Sequence, residues 1–471
     1  MNRRRLSAAA ALVAMLLLVV PDGALAHGLV GRQDLPIPKW VFGWTAAIVL
    51  VASFVGLAVL WPKPRLEQPT QRRALSVPRV LDPLCGALGV AIFALLVYAG
   101  FDGSQTQTNN ITPTFVFVAF WVGLAVASAL FGDVFKAFNP WRAIARAFAA
   151  VANVSRRELP APMPYPAALG RWPAAVGILA FAWIELVYSG GSDPSNLAVL
   201  MLAYAAVQLV GMSLYGVEQW NDNGDAFAVY FGLFARISPL RWERGSLYRR
   251  APLTGLTTLT ATPGTVALLC VMIGTTSFDG FSAGPVWGDI APRMIDSLRG
   301  LGFSQSASLE TALTIGLVVV VVLIAWLFRL GVRGMGSATR FEMPTQALGA
   351  RFAHSLVPIA LAYVVAHYFS LLAYQGQAMG YLISDPLGTG ANLFGTAAVT
   401  IDYGWVSATA IWYVQVAALV AGHVAGLVLA HDRALVTFKD GRDATRSQYW
   451  MLVVMISFTS LGLWLLSAAN S

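Results

Sequence analysis

Charge is what this sequence has least of. Only 11% of its 471 residues are Asp, Glu, Lys or Arg, against about 25% in an average soluble domain. Hydrophobic residues make up 57% and the mean hydropathy is +0.65. A water-covered surface cannot be assembled from that composition, so lipid must be the solvent for most of the chain. Cysteine is nearly missing: Cys85 and Cys270 are the only two, each inside an apolar run. That excludes a disulfide framework, a CxxC redox motif and a c-type haem site. The five histidines form no H-x-H pair and no H-E-x-x-H, and there is no G-x-S-x-G, so the soluble metallohydrolase and serine-hydrolase signatures are absent. The net charge of +8 requires no nucleic-acid partner, because basic loops orient polytopic membrane proteins.

What is present is a series of long apolar runs. Residues 1–26 read as a cleaved signal peptide, with Arg3–Arg5 as its basic start, Leu6–Val20 as its core and Ala24-Leu25-Ala26 as its cleavage site. Ten further runs approach the roughly 20 apolar residues that a bilayer crossing needs. They lie near 41–61, 83–100, 113–132, 173–189, 197–216, 257–277, 309–328, 352–374, 405–430 and 449–468. The loops after the odd-numbered runs carry nearly all the Lys and Arg of the mature chain; only Arg32, Lys39, Arg293 and Arg299 fall elsewhere. Cytoplasmic loops hold such an excess. The expectation is an all-α polytopic helix bundle of about ten transmembrane helices, residues 27–471 forming one integral membrane domain of the cytoplasmic membrane, with both mature termini outside.

Two basic loops contain more than a turn. Asn139-Pro140 reads as a helix cap with proline at the first position, opening a helix with Arg142 and Arg146 opposite Trp141, Ile144 and Phe148. Ser238-Pro239-Leu240-Arg241 repeats the device, and both segments are expected to lie flat in the interface. Other repeated pieces are Phe101-Asp102-Gly103 with Phe278-Asp279-Gly280, and Ser192-Asp193-Pro194 with Ser384-Asp385-Pro386. Ordinary turn chemistry accounts for them, and a duplicated hairpin would too.

Ionisable residues inside apolar runs are costly and are therefore functional candidates. In the eighth run Tyr363, His367, Ser370 and Tyr374 share one helix face, as Tyr204, Gln208, Gly211 and Tyr215 do in the fifth. At about 1.5 Å per residue, His367 lies roughly 10 Å below the outer end of its helix, Glu185 about 6 Å, and Gln208 and Gln415 about 15 Å; His423 lies about 27 Å down. That difference in depth argues against one four-histidine centre. An outer group remains, with His367 and Glu185 as the candidate catalytic pair, Glu185 holding the His367 tautomer or acting as base. Tyr363, Ser370, Tyr374, Gln208 and Gln415 are the candidate substrate contacts. His354 and His431 fall at the cytoplasmic boundary, and His423 beside Gly422-x-x-x-Gly426 reads as a packing residue with an interhelical hydrogen bond. A metal is possible, His27 being one copper-compatible ligand. Haem is disfavoured, because His367 and His423 are mismatched in depth.

The stretch Ala26-His27-Gly28-Leu29-Val30-Gly31-Arg32 with Leu35-Pro36-Ile37-Pro38, then Asn139-Pro140-Trp141, Gln375-Gly376-Gln377, and Gly422-His423 to His431-Asp432-Arg433-Ala434-Leu435 resembles bacterial membrane proteins identified as fenitrothion hydrolases. The likeness runs in order through most of the chain. It implies hydrolysis of a lipophilic phosphotriester and assigns no residue a role. A neutral aromatic triester partitions into lipid and could enter an apolar pocket from the side, with His367 or Glu185 directing water at phosphorus. The alternatives are a transporter or exporter of a small molecule, with Pro358 and Thr262-Pro263-Gly264 as helix interruptions, and a metal or redox membrane protein.

Overall fold

The computed structural model describes residues 39–468 except 69, 156–159, 244, 340–342 and 439–440. The expected signal peptide and His27 lie outside the described residues. In chain order the main helices are α1 (Lys39–Leu60), α2 (Leu81–Asp102), α3 (Ile111–Phe131), α4 (Pro140–Val154), α5 (Trp172–Leu186), α6 (Pro194–Tyr215) and α7 (Ala226–Ala235). They continue as α8 (Thr265–Ser282), α9 (Pro285–Gly300), α10 (Gln305–Ala338), α11 (Leu356–Tyr374), α12 (Ala408–Thr437) and α13 (Gly441–Ala468). A helix occupies each of the ten apolar runs. Among the described residues, seven helical stretches are long and apolar enough to cross a membrane, while Trp44–Leu60, α5 and α7 are shorter apolar helices. Large apolar side chains such as Trp44, Val59, Leu84, Val207, Val322 and Trp326 are exposed around the bundle, as an integral membrane protein requires of surfaces facing lipid tails.

Local chemistry fixes where helices begin. The Asn110 side chain accepts from Thr112 N at the start of α3 and donates to Ala99 O and Ser104 O. Asn139 caps α4 by accepting from Arg142 N, with Pro140 at the first position. Ser304 and Ser407 cap α10 and α12 in the same way. These side chains supply partners for the otherwise orphaned amides of a first turn. Gly264 precedes α8 at φ 81, and a Cβ there would lie 2.5 Å from Trp172 N; only glycine fits that approach. Thr262-Pro263-Gly264 therefore sits before a helix and does not interrupt one. Pro358 is in the first turn of α11, where its missing N–H costs no helical bond.

The second basic loop departs from expectation. Instead of an interfacial helix it forms a hairpin, β2 (Leu240–Glu243) and β3 (Ser246–Arg249), joined by two residues of which Gly245 has φ 71. Two-residue hairpins favour such positive φ. β1 (Arg72–Ser76) adds to β3, giving an antiparallel sheet in the order β1-β3-β2 with a bulge between Arg73 and Leu75. Ser238 Oγ donates to Leu130 O and so ties the hairpin to the end of α3. The first basic loop does form its helix, α4, and Phe148, Val151 and Val154 are exposed along it. Trp141 is not on that lipid-facing side but buried.

α4 is held by ion pairs: Arg142 with Glu218 at 2.8 Å and Arg146 with Asp82 at 2.5 Å. Lys136, just before it, pairs with Asp222 at 2.9 Å. Burial works against its charge, yet Asp222 and Glu218 hold its pKa above the ordinary lysine range.

The helices sort into two groups. α11 packs with α8, α12 and α13, α10 packs on α8 and α13, and α1 on α12 and α13, while α2, α3, α4, α6 and α7 pack together; α5 against α8, and α11 against α3 and α7, join the two groups. Within the first group Gly422 and Gly426 of α12 face α11 closely, a Cβ at Gly426 lying 2.8 Å from Ser355 O.

Candidate functional site

His367 has a carboxylate partner, and it is not Glu185. Asp279 of α8 accepts from His367 Nε2 at 2.8 Å and from Tyr368 OH at 2.8 Å, both on Oδ2. The His367 and Tyr368 rings stand edge to face, 4.7 Å apart. Both members of the pair are about three-quarters buried, with side-chain exposures of 24% and 23%. With Nε2–H directed at the carboxylate, Nδ1 is the ring nitrogen left to take a proton. Asp279 was expected in a turn; it lies within α8, three residues before the helix ends. Glu185, at the end of α5, makes no hydrogen bond among the described residues but lies within electrostatic range of Asp279, Tyr368 and Tyr230 of α7.

The expected substrate contacts do not converge on this pair. Tyr363 OH donates to Phe458 O on α13 at 2.6 Å, and Tyr374 OH donates to Val406 O at 2.9 Å. Gln208 accepts from Trp220 Nε1 at 2.8 Å, a structural bond. Gln415 is buried on α12, and Ser370 is half-buried one turn beyond His367. His423 makes no interhelical bond: its Nδ1 donates to Leu419 O of its own helix at 2.7 Å, and Nε2 is buried without a partner among the described residues. His354 and His431 are not at a solvated boundary; each is 2% exposed. Among the described residues no three His, Cys, Asp or Glu side chains gather as a metal site.

The second feature is an apolar cavity. It has a volume of about 380 Å³ and opens between α2, α3, α4, α5, α6 and α7, within the size range of small-molecule sites. Phe93, Phe115, Phe120, Phe181 and Phe227 line it together with Ile92, Leu200 and Met201. Tyr204 is the one member of the predicted polar stripes on its wall. Its hydroxyl is engaged by Asp225 Oδ1 at 2.9 Å, as Trp141 Nε1 is by Oδ2 at 2.5 Å, so the lining keeps an apolar character. One wall is unusual: Phe115–Gly123 of α3 is a π-helix nine residues long, a form that occurs mostly as single-turn bulges at functional sites.

Two buried aspartates organise what surrounds these features. Asp225, fully buried, caps α7 through Phe227 N and Ala228 N while accepting from Asn139, Trp141 and Tyr204. This explains the Asn139-Pro140-Trp141 motif. Asp432, also fully buried, accepts from Trp61 Nε1, Arg65 N and Leu66 N. Beside it Arg433 meets Glu67 at 2.5 Å and His431 Nε2 donates to Trp61 O. His431-Asp432-Arg433 is thus a latch on the chain leaving α1. Sequence reasoning put Asp279 in a turn and passed over Asp225 and the short buried α7. The signal for Asp225 was an aspartate two residues ahead of an aromatic-rich run. No protein-family model matches the chain, and neither a curated protein nor a solved structure does.

Proposed function

We propose that the protein is a proton-linked carrier of a small lipophilic compound in the cytoplasmic membrane. In this reading ten helices cross the bilayer after a cleaved leader, the basic loops face the cytoplasm, and both mature termini lie outside. The observation that carries it is an aromatic, apolar cavity of about 380 Å³ in a bundle that also holds a buried imidazole–carboxylate pair outside the cavity's walls. A general base for hydrolysis must reach its water and substrate within about 3 Å. Coupling of binding to protonation has no such demand, since a ligand and a proton need only favour the same arrangement of α5, α7, α8 and α11. The half-length buried helix α7 also suits a carrier, where short helices at membrane depth line binding sites.

The test is uptake of a neutral nitroaromatic ester into sealed vesicles under an imposed pH gradient. Gradient-dependent accumulation of unchanged compound, lost in Asp279→Asn, is the expected result; accumulation indifferent to the gradient would overturn the reading. Phosphotriester hydrolysis, the activity that the sequence resemblance implies, is the second reading. It is favoured by the free Nδ1 of His367 behind a carboxylate-bound Nε2. Release of nitrophenol by the wild type but not by His367→Ala would establish it in place of transport.

A further inference from the structure

The connection from α8 to α10 carries a groove that shares no wall with the His367–Asp279 pair or the aromatic cavity. α9 runs back along the first turns of α10. Trp287, near its start, is buried over Gly316, where a Cβ would lie 2.6 Å from the ring, and residues 301–304 return the chain to Gln305 at the head of α10. Between the two helices lies a groove of about 430 Å³, lined by Ile290, Arg293, Met294, Ser297 and Leu298 of α9 and Ile315 of α10. The five α9 residues fall at i, i+3, i+4, i+7 and i+8, which is a single helix face. The apolar side of the groove does not stop at Ile315. Val318, Val319 and Val322 continue it along α10 at helical spacing, all of them exposed, within a helix long and apolar enough to cross a membrane. The polar side is Arg293. Its guanidinium makes no ion pair or hydrogen bond among the described residues, although Asp289 and Asp296 stand one turn away on either side. Those two carboxylates are equally without a partner there.

We propose that this groove holds a phospholipid with a zwitterionic, amine-bearing headgroup. Its phosphate sits on the Arg293 guanidinium, its amine beside Asp289 and Asp296, and one acyl chain along Ile290, Met294 and Ile315. Each part answers a separate observation. A guanidinium presents paired N–H donors that match phosphate oxygens. An exposed apolar stripe on a membrane-crossing helix faces lipid tails, so the groove that opens onto it is filled from the same source. One arginine between two aspartates leaves the rim net negative, which works against a purely anionic head and complements an ammonium. Arg299 is exposed on the same helix but lies outside the groove's walls. The site is separate from the cavity, and it stands whether the protein transports or hydrolyses.

The experiment is photo-crosslinking of the full-length protein in vesicles containing phosphatidylethanolamine with a diazirine in one acyl chain, the labelled residues being located by peptide mass spectrometry. Labelling is expected to concentrate on residues 290–298 and 315–322. Arg293→Gln should lower it there about fivefold, the effect of one arginine near a lipid headgroup, and Arg299→Gln should leave it unchanged. Labelling around Val207 on α6, another exposed apolar face, measures insertion and should be the same in all three proteins. The matching phosphatidylglycerol probe should label the groove less, and Asp289→Asn combined with Asp296→Asn should erase that difference. Even labelling of α6 and α9 in the wild type, unchanged groove labelling in Arg293→Gln, or an equal loss in Arg299→Gln overturns the site. Equal or stronger labelling by the glycerol headgroup, or a difference that survives the two asparagines, overturns the zwitterionic assignment. Displacement of the probe by inorganic phosphate would make this a site for a free anion and so overturn the lipid.

Discussion

At the scale of single residues, two aspartates do different work with the same chemistry. Asp279 sits where charge can change, sharing one oxygen between an imidazole and a phenol. Asp279→Asn keeps the shape and removes the charge, so activity, as uptake or as turnover, should fall roughly a hundredfold with little change in unfolding temperature. Asp225 has no such freedom, because its two oxygens already receive five donors. Asp225→Ala would strand those donors in a buried site and cost about 3–5 kcal/mol. Thermal unfolding in detergent should show a large drop, and an unchanged midpoint would contradict the assigned role. His367 was legible in the sequence because a histidine amid apolar neighbours is expensive to place. Asp279 was not, because Phe-Asp-Gly is written alike in a turn and near a helix end. Its partner choice depended on which helices meet, and no local spacing encodes that.

At the scale of elements, the apolar runs and caps were readable because each is a local property. The loop hairpin was misread for an equally local reason. Ser238-Pro239 has the letters of a helix start, but Gly245 turns the chain back, and pairing with Arg72–Ser76 takes up the strand edge. The close seam of α11 and α12 gives a sharper expectation. A Cβ at Gly422 would lie 2.3 Å from Ala362 Cβ and 2.7 Å from Pro358 O, so Gly422→Val should force the helices apart and displace His367. Activity should disappear while insertion into the membrane persists, and activity at the wild-type level would count against that packing. The latch at the end of α12 predicts a proteolytic phenotype. Asp432→Ala releases Trp61, Arg65 and Leu66, and trypsin should then cut after Arg65 in vesicles that expose the basic loops, where the wild type resists.

At the scale of the molecule, the two helix groups meet where α5 packs on α8 and α11 packs on α3 and α7. The alternation of basic loops made the orientation readable as an expectation, which Ser76→Cys and Thr389→Cys would check. The first should react only from the face bearing the basic loops and the second only from the opposite one. The cavity was not readable, since its walls come from six helices and one of them, α7, is ten residues long and too short to register as a span. Ala180 lines it, and Ala180→Trp should weaken binding of a lipophilic probe at least tenfold by filling the space. The π-helical stretch Phe115–Gly123 has one consequence for that space. Return of this stretch to ordinary helical pairing would release about one residue of slack, some 1.5 Å of rise and 100° of rotation. The faces of Phe115, Val116 and Phe120 would swing off the wall together. The room available to a guest is therefore metered by the winding of one backbone segment, and a single-residue deletion between 115 and 123 should close it as surely as any bulky side chain.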